Sequence, residues 1–333
     1  MKTSFDSIYY EPAALNYPLG RRLREQYSHL PWIEIENHNA IPELRAASNR
    51  EFARLKRHLI IGVRKTHRYT ENCKVSDFLV PYTSSGCPAM CLYCYLVCNY
   101  NKCSYLRVFV NCEEMMDKLI RTSNAAPGTH VFEIGSNSDL ILENAVTRNL
   151  PWTIEEFARR ADGKLTFPTK FHMVEPLLNL DHRQKTIFRM SVNPPELIKT
   201  VELGTSPLPE RIQAVNAMCD AGYPVGLLLA PIILVPGWQI LYEKLLETLA
   251  DTLSDAVKRT GFLEIIFMTY SFVQNAINQE AFPHAPLLYQ PEQMVGRGKG
   301  KYRYREPIRT DAEKILRGML EKYLPEMPVL YIS

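Results

Sequence analysis

Residues 78–95 read FLVPYTSSGCPAMCLYCY, and this stretch decides the fold because an apolar strand runs directly into three closely spaced cysteines. Cys87, Cys91 and Cys94 follow the spacing C-x3-C-x2-C. Four thiolates close an iron–sulfur cube, so three leave one iron with open positions for a small molecule. The glycine before the first cysteine allows a tight approach of the loop to such a cluster. The motif therefore predicts a [4Fe-4S] cluster with one open iron.

A zinc site is the main alternative for the same cysteines. Zinc normally takes four Cys or His ligands, and Cys98 and Cys103 lie near enough in the sequence to complete the set. The resulting spacing is not typical of zinc ribbons or fingers, which favours the iron–sulfur interpretation. The spacing with Tyr93 before the last cysteine resembles the radical S-adenosylmethionine (SAM) enzymes. That resemblance implies that the open iron chelates SAM and that an electron from the cluster cleaves it to a 5′-deoxyadenosyl radical.

The composition predicts a reduced, soluble protein. The chain has 333 residues, of which 46% are hydrophobic, and a formal charge of +3, so nucleic-acid contact would need a local basic patch. Its first residues contain no apolar signal region, and no apolar run is long enough to span a membrane. We therefore expect a cytoplasmic protein that contacts no membrane.

Apolar runs along the chain predict an α/β fold. The candidate strands are LIIGV (59–63), FLVPYT (78–83), LRVFVN (106–111), HVFEIGS (130–136), LTFPTK (165–170), TIFRMSV (186–192), VGLLLAPI (225–232) and EIIFMTY (264–270). Helix-like stretches lie between them, and this alternation is typical of βαβ units with a parallel sheet. The pattern fits a partial or complete α/β barrel, with an open doubly wound sheet as the alternative, and the resemblance to radical SAM enzymes implies the partial (β/α)6 form. We expect an N-terminal extension over 1–57, the barrel over 58–285, and a C-terminal basic loop and helix over 286–333.

Polar residues recur at the carboxyl ends of these strands. The ends read Gly135–Ser136–Asn137–Ser138–Asp139, Thr169–Lys170, Ser191–Val192–Asn193, Ala230–Pro231 and Tyr270–Ser271. In a barrel these ends and the cysteine loop meet at one mouth, where barrel enzymes build their sites. A single cluster of this kind is often only a strand-to-loop transition, but the recurrence predicts a shared site.

Sequence blocks in order along nearly the whole chain resemble the spore photoproduct lyase family of radical SAM enzymes. They are YEPAALNYPLG (10–20), the cysteine loop with Tyr93 and Tyr95, Phe132–Glu133 with Ser138–Asp139, Thr169–Lys170, FRMSVN (188–193), AGY (221–223), API (230–232) and GKYRYR (300–305). The resemblance implies a partial barrel, a [4Fe-4S] cluster, SAM, and the reversal of a methylene-bridged thymine dimer in UV-damaged DNA. In the implied reaction the radical takes hydrogen from C6 of the dihydrothymine half. The bridge then breaks by β-scission, and a cysteine returns a hydrogen atom.

The resemblance also implies roles for individual residues. Cys87, Cys91 and Cys94 would hold the cluster. Residues that would hold SAM are Tyr95, Ser138, Lys170, Ser191, Asn193 and Ala230. Lys170 would supply a cation for the SAM carboxylate, and the hydroxyl and amide groups suit its ribose and amino group. The alternative for Lys170 is a surface lysine at a strand end. The residues expected to face the substrate are Tyr93, Asp139, Tyr304 and Arg305.

The sequence departs from the family at the hydrogen donor. The family's donor cysteine precedes the aspartate by three residues, and Ser136 occupies that place here. A hydroxyl O–H bond is much stronger than a thiol S–H bond, so Ser136 cannot play the same catalytic role. Cys73 is the leading candidate for a substitute donor, with Cys98 next. The alternative for Cys73 is an ordinary half-buried small residue.

The segment GRGKGKYRYR (296–305) interleaves five cations with glycines and two tyrosines. Cations neutralise phosphates and rings stack on unstacked bases, and a base in a duplex must be flipped out before buried chemistry reaches it. We therefore predict contact with DNA here, with a solvated loop as the alternative. The preceding residues QPEQMV (290–295) lack the basic and aromatic character expected of the family, which weakens the case for a duplex-wedging element.

Three functions are open from the sequence. We expect reversal of the thymine lesion by a monomer that receives electrons from a flavodoxin or ferredoxin. The second candidate is a divergent radical SAM homologue acting on another nucleobase or a small molecule, which Ser136 and the weak net charge favour. The third is a non-catalytic iron–sulfur protein, against which Lys170 and Ser191 argue.

Overall fold

The computed structural model describes residues 5–98, 105–125 and 127–333. Its strands are, in chain order, β1 (Ser7–Tyr10), β2 (Trp32–Glu34), β3 (His58–Gly62), β4 (Thr70–Glu71), β5 (Phe78–Leu79), β6 (Ser84–Ser85), β7 (Met90–Cys91), β8 (Leu106–Phe109), β9 (Val131–Glu133), β10 (Lys164–Thr169), β11 (Thr186–Val192), β12 (Glu202–Leu203), β13 (Val225–Ile232), β14 (Phe262–Phe267), β15 (Thr269–Ser271), β16 (Met294–Gly298), β17 (Lys301–Tyr304) and β18 (Val329–Ile332).

Helices connect most of the long strands. They are α1 (Pro18–Gln26), α2 (Pro42–Ala46), α3 (Phe52–Leu55), α4 (Cys112–Ala125), α5 (Leu140–Thr147), α6 (Leu150–Arg160), α7 (Pro195–Thr200), α8 (Leu208–Asp220), α9 (Trp238–Thr252), α10 (Asp255–Thr260), α11 (Phe272–Ala281) and α12 (Glu306–Tyr323). Short 3-10 turns cover Pro12–Asn16, Asn49–Glu51, Tyr95–Cys98 and Glu175–Leu177.

The largest sheet is a curled half-barrel with the strand order β18-β14-β13-β11-β10-β9-β5-β4. Neighbours from β5 to β18 pair in parallel, and β4 pairs with β5 antiparallel. The parallel strands are largely apolar because helices cover the outside of the sheet and side chains fill the inside. The predicted partial barrel is confirmed.

The sheets do not follow the predicted segment boundaries. The apolar runs at 59–63 and 106–111 form β3 and β8, which belong to a separate five-stranded sheet with the order β2-β1-β3-β8-β6. Conversely, β18 adds a strand to the half-barrel from beyond residue 285. The N-terminal and C-terminal segments therefore share sheets with the part of the chain predicted as the barrel.

A buried ion cluster lies inside the half-barrel. Arg189 on β11 places Nη1 3.0 Å from Glu264 Oε2 on β14, and its Nη2 donates to Glu133 on β9. Tyr331 on β18 donates its hydroxyl to the same Glu264. Buried charges are tolerated when they are paired and hydrogen-bonded, so these contacts tie four strands together across the interior.

Among the described residues, no helix combines the length and apolar character needed to cross a bilayer.

Candidate active site

The cysteine loop is attached to the loop that follows β9. Gly86 adopts a left-handed φ of 77°, a conformation that residues with a side chain adopt at a cost. Its N–H donates to the Asn137 carbonyl at 2.7 Å, and the Ser138 hydroxyl donates to the Gly86 carbonyl at 2.8 Å. Ser138, predicted to bind SAM, therefore fixes the residue directly before Cys87.

Two further elements hold the middle of the loop. Strand β7 pairs antiparallel with β12, which places Cys91 opposite Glu202. The N–H of Leu92 donates to the Val201 carbonyl at 2.9 Å. From the other side, Asn278 on α11 donates Nδ2 to the Leu92 carbonyl at 2.7 Å. Hydrogen bonds therefore hold the backbone of the loop at several positions.

Burial disfavours the thiolate form of two of the three cysteines, Cys87 and Cys91. Burial raises the pKa of the Cys87 thiol to about 12, with Asp139 adding to the rise and Lys56 opposing it. Burial also raises the pKa of Cys91, and the charge of Cys94 contributes to both rises. A metal that coordinates such thiols supplies the positive charge that stabilises their ionised form. The donor set therefore fits a cluster whose irons provide that charge.

A single metal ion would need at least three ligands around one point. Within the described residues, no three Cys, His, Asp or Glu side chains converge closely enough to hold one ion. Zinc requires four donors at about 2.0–2.3 Å from one centre, whereas the ligands of a cube bind different irons. This observation does not cover Cys98 and Cys103, the two candidates for a fourth zinc ligand. Neither Cys103 nor the side chain of Cys98 is among the described groups.

Lys170 brings three predicted SAM-binding residues together at the ends of β10, β11 and β13. Its Nζ donates to the Ser191 hydroxyl and, at 3.0 Å, to the Ala230 carbonyl, and lies 3.3 Å from Glu202 Oε1. Ser191 Oγ donates to the same carbonyl at 2.7 Å. Lys170 thus has two hydrogen-bond acceptors and one anionic partner within the protein. Binding a SAM carboxylate therefore requires Lys170 to exchange one of them, and the contact with Glu202 is the longest.

Glu202 is the charged centre of this cluster. It is 0% exposed, and its carboxylate accepts from the Tyr93 hydroxyl, from Asn193 Nδ2 at 2.9 Å and from Arg211 Nη2 at 2.7 Å. Burial raises its pKa, but the positive charges of Lys170 and Arg211 outweigh burial and lower the pKa to about 2. Glu202 is therefore ionised at neutral pH.

Asn193 and Tyr93 both donate a hydrogen bond to Glu202. Asn193 is fully buried, and its Oδ1 accepts from the Tyr242 hydroxyl at 3.0 Å, so all its polar groups have protein partners. Tyr93 lies beneath Lys170, whose Nζ is 5.7 Å from the ring centroid. The predicted contacts of these two residues with SAM and substrate stay predictions. Their observed contacts orient Glu202 and Lys170.

Asp139 connects two loops of the barrel mouth. It caps α5 by accepting from the Leu142 N–H at 3.2 Å, and it also accepts from the Thr169 hydroxyl at 2.9 Å and the Lys170 N–H at 3.0 Å. Burial raises its pKa, and these hydrogen bonds oppose the rise. Both carboxylate oxygens of Asp139 already accept hydrogen bonds from the protein, and the contact of Asp139 with substrate stays a prediction.

Tyr95 and Ser136 are in direct contact. Tyr95 is 51% exposed and donates its hydroxyl to the Ser136 carbonyl. Ser136 is half-buried in the loop after β9. The end of the cysteine loop is therefore tied to the position where the family carries its donor cysteine.

Cys73 is exposed in the turn between β4 and β5. The next residue, Lys74, reaches across the open edge of the half-barrel to β18. Its Nζ donates to Ser333 Oγ at 3.0 Å and lies 4.8 Å from the Tyr331 ring centroid. The Cys73 turn is thus held against the far edge of the sheet.

Nearby charges affect the ionisation of Lys74. Burial lowers the pKa of Lys74, whereas the carboxylates Glu264 and Glu133 oppose that change, and Arg297 on β16 lowers the pKa further.

Tyr304 and Arg305 occupy different environments. Tyr304 is 4% exposed and its hydroxyl oxygen accepts from the Leu234 N–H at 2.9 Å, because alternation along β17 turns this ring inward. Arg305 is exposed and donates from Nε to the Glu292 carbonyl at 3.0 Å. The Tyr304 ring is therefore unavailable for stacking on the hairpin surface, and the Arg305 contact with substrate stays a prediction.

Sequence reasoning missed Glu202 and Arg211. The only local signal for Glu202 is one charge in the short segment VELG (201–204), and Arg211 reads as one more cation on an amphipathic helix. Both are 0% exposed, and their importance comes from contacts with residues distant in sequence.

The comparisons with known proteins agree with this geometry. The family model described as spore photoproduct lyase matches residues 4–333. A spore photoproduct lyase from Bacillus subtilis (strain 168) is 35% identical over 326 residues, 95% of this chain and 94% of the relative. Another from Geobacillus sp. is 30% identical over 335 residues, 98% of each chain.

Solved structures extend the agreement to three dimensions. The structure of spore photoproduct lyase complexed with dinucleoside spore photoproduct matches with a TM-score of 0.90 and 29% identity, and the match covers 100% of both chains. A variant of spore photoproduct lyase with bound AdoMet and dinucleoside spore photoproduct also matches with a TM-score of 0.90, at 29% identity over 100% of both chains. The chain belongs to the spore photoproduct lyase family.

Proposed function

We propose that this protein is a radical SAM lyase that reverses the methylene-bridged thymine dimer, spore photoproduct, in UV-damaged DNA. The observation that carries the proposal is the junction of the cysteine loop with Lys170, Ser191 and Ala230 at the carboxyl end of the half-barrel. This is the end at which barrel enzymes bind their substrates. Full-length similarity to spore photoproduct lyases supports the choice of lesion.

The cofactors follow from the donor groups. Cys87, Cys91 and Cys94 would hold a [4Fe-4S] cluster through three of its irons. Lys170 would bind the SAM carboxylate after releasing Glu202, and the exposed Tyr95 with Ser138 would line the same mouth. The related structure with bound AdoMet supports this assignment of the cofactor.

Cys73 would end the reaction. When bound, the cluster and SAM supply a 5′-deoxyadenosyl radical that takes a hydrogen atom from C6 of the dihydrothymine half. Scission of the bridge leaves a thymine radical on the methylene carbon. The Cys73 S–H bond then breaks as a C–H bond forms, and the unpaired electron stays on sulfur. One electron from an external reductant and one proton from solvent restore the thiol.

The remaining partners are proposed on chemical grounds. UV-damaged DNA would bind at the basic hairpin of β16 and β17, whose exposed cations can neutralise phosphates. A flavodoxin or ferredoxin would reduce the cluster. We propose that the enzyme acts as a monomer.

A turnover assay tests the function. Anaerobically reconstituted protein, reduced and supplied with SAM, should convert the dinucleoside photoproduct into the two-thymine product and form 5′-deoxyadenosine. SAM cleavage without repair would contradict the proposed substrate and support another base or small molecule. Absence of 5′-deoxyadenosine from protein with a full iron content would contradict the radical chemistry itself.

The Cys73→Ala variant tests the hydrogen donor. With the donor absent, the thymine radical should be trapped by dithionite-derived sulfur dioxide radical as a sulfinate adduct, and the yield of repaired product should fall. Cys219→Ala is the matched control, because Cys219 lies on α8 outside the barrel mouth. Clean repair by Cys73→Ala at the wild-type rate would assign the donor to another group.

A further inference from the structure

The basic hairpin presents its charges and its rings on different faces. On β17, Lys301 and Arg303 are exposed, whereas Tyr302 is half-buried and Tyr304 is buried. Tyr302 packs on Tyr289 with ring centroids 4.5 Å apart. The outer face of the hairpin therefore carries cations for phosphates but neither of its tyrosine rings is free to stack on bases.

The tip of the hairpin is shaped for close approach to another backbone. Gly298, Lys299 and Gly300 all adopt a left-handed φ, of 89°, 51° and 68° respectively. Glycines keep the tip narrow, and the exposed Lys299 projects from between them. This geometry suits contact with a phosphate backbone.

An exposed aromatic ring lies directly beside this tip. Phe272, the first residue of α11, is 61% exposed, and its N–H donates to the Gly300 carbonyl at 2.8 Å. Val273, the next residue of the helix, is also exposed, at 37%.

Helix α11 connects this ring with the cysteine loop. Asn278 on the same helix holds the Leu92 carbonyl of the loop at 2.7 Å. The six residues from Phe272 to Asn278 span about 9 Å along a helix at 1.5 Å per residue. The exposed ring and the cysteine loop therefore lie at the two ends of a short rigid element.

We propose that the Phe272 ring inserts into duplex DNA and stacks where the flipped lesion has left, while the basic hairpin holds the flanking phosphates. The proposal rests on the proposed function and identifies how a lesion in a duplex is presented to the site. A flipped base leaves a gap in the stack, and filling it with an aromatic ring recovers part of the lost stacking. A dinucleoside has no duplex stack, so it gains nothing from this ring.

The test compares one lesion in three contexts: the dinucleoside photoproduct, a single strand and a duplex. For the reconstituted Phe272→Ala holoenzyme, the ratio of duplex to dinucleoside kcat/KM should fall by roughly tenfold relative to wild type. Phe272→Tyr keeps the ring and should restore most of the ratio. Ile240→Ala is the matched control, because Ile240 is 62% exposed on α9 and should leave the ratio unchanged.

A second measurement separates this inference from the proposed function. The base analogue 2-aminopurine, placed beside the lesion in the duplex, fluoresces when it unstacks, and the signal requires neither SAM nor turnover. At saturating protein, wild type should raise the fluorescence only slightly, because the ring stacks on the neighbouring analogue, and Phe272→Ala should raise it further, because the gap beside the analogue stays open. An equal signal from both proteins, or an equal loss of kcat/KM on all three substrates, would overturn the role of Phe272. Failure of wild-type protein to repair the dinucleoside would instead contradict the proposed function.

Discussion

Arg211 Nη2 lies 2.7 Å from Glu202 Oε2, and the side chains of both residues are 0% exposed. The same carboxylate faces Lys170, while the backbone of Glu202 pairs with Cys91. One buried ion pair therefore fixes the cysteine loop and the lysine proposed to bind SAM relative to each other. An unpaired buried charge is costly, so each member of this cluster depends on the others.

Glu202→Gln should weaken folding and strengthen SAM binding, because Lys170 no longer has to leave a charged partner to bind the SAM carboxylate. The change leaves Arg211 and Lys170 with an uncompensated positive charge, and breaking a buried pair in this way costs about 3–5 kcal/mol. Denaturant unfolding of the reconstituted protein measures the first effect, and a SAM titration measures the second. Glu196→Gln, at an exposed site on α7, is the control. Wild-type stability in Glu202→Gln would show that the cluster tolerates a neutral side chain at this position.

Gly86→Ala should lower the amount of cluster bound per chain. A side chain at a φ of 77° costs about 1–2 kcal/mol, and the strain falls on the residue before Cys87. Iron and sulfide content after reconstitution is the measurement. Gly318→Ala is the control, because nothing lies within 4 Å of the added methyl and alanine favours the interior of α12. If both variants bind the same amount of iron as wild type, the left-handed turn is not needed to form the site.

Lys74→Ala should divert repair toward the abortive product. Lys74 holds the turn that carries Cys73 against Ser333 and Tyr331, so its loss releases the proposed donor from this edge of the half-barrel. The share of sulfinate adduct in the product should rise several-fold, and Lys74→Arg should restore part of the wild-type ratio. The exposed Lys199 on α7 provides a control as Lys199→Ala. An unchanged product ratio in Lys74→Ala would show that the contacts of Lys74 are not needed for Cys73 to return the hydrogen atom.

Long apolar strands were predictable and their partners were not. The runs that form β10, β11, β13 and β14 could be predicted because strands covered on both sides are largely apolar. The same pattern in β3 and β8 could not reveal that these strands join another sheet, since pairing depends on the whole fold. Strand β18 has only four residues and gives too little periodicity to be identified in advance.

The site was predictable to the extent that its chemistry is local. The spacing of three thiols on one loop is enough to predict a metal cluster as their ligand. The strand ends of a barrel converge at one mouth, and this convergence brings Lys170, Ser191 and Ala230 together. Glu202 could not be identified in this way, because its role depends on contacts with Arg211 and Asn193 that exist only in the folded chain.

Glu143 should make folding stability decrease as the pH rises. It is 3% exposed on α5 and accepts from the hydroxyls of Thr83 and Ser84, directly before the cysteine loop. Burial raises the pKa of Glu143 from 4.5 to about 7, although these hydrogen bonds oppose the rise. The folded state therefore holds a proton that the unfolded state has released between these two values. Stability falls across that interval, and above about pH 7 this group adds no further dependence.

Glu143→Gln removes the titration and keeps an acceptor for the two hydroxyls. The stability of the variant minus that of wild type should therefore increase from about pH 5 to about pH 8, by up to about 3 kcal/mol for a shift of this size. Denaturant unfolding of the reconstituted protein at several pH values gives this difference, with the exposed Glu155→Gln on α6 as the control. A difference that stays constant with pH would mean that Glu143 is already ionised in the folded protein, so that the hydroxyls of Thr83 and Ser84 stabilise its charge.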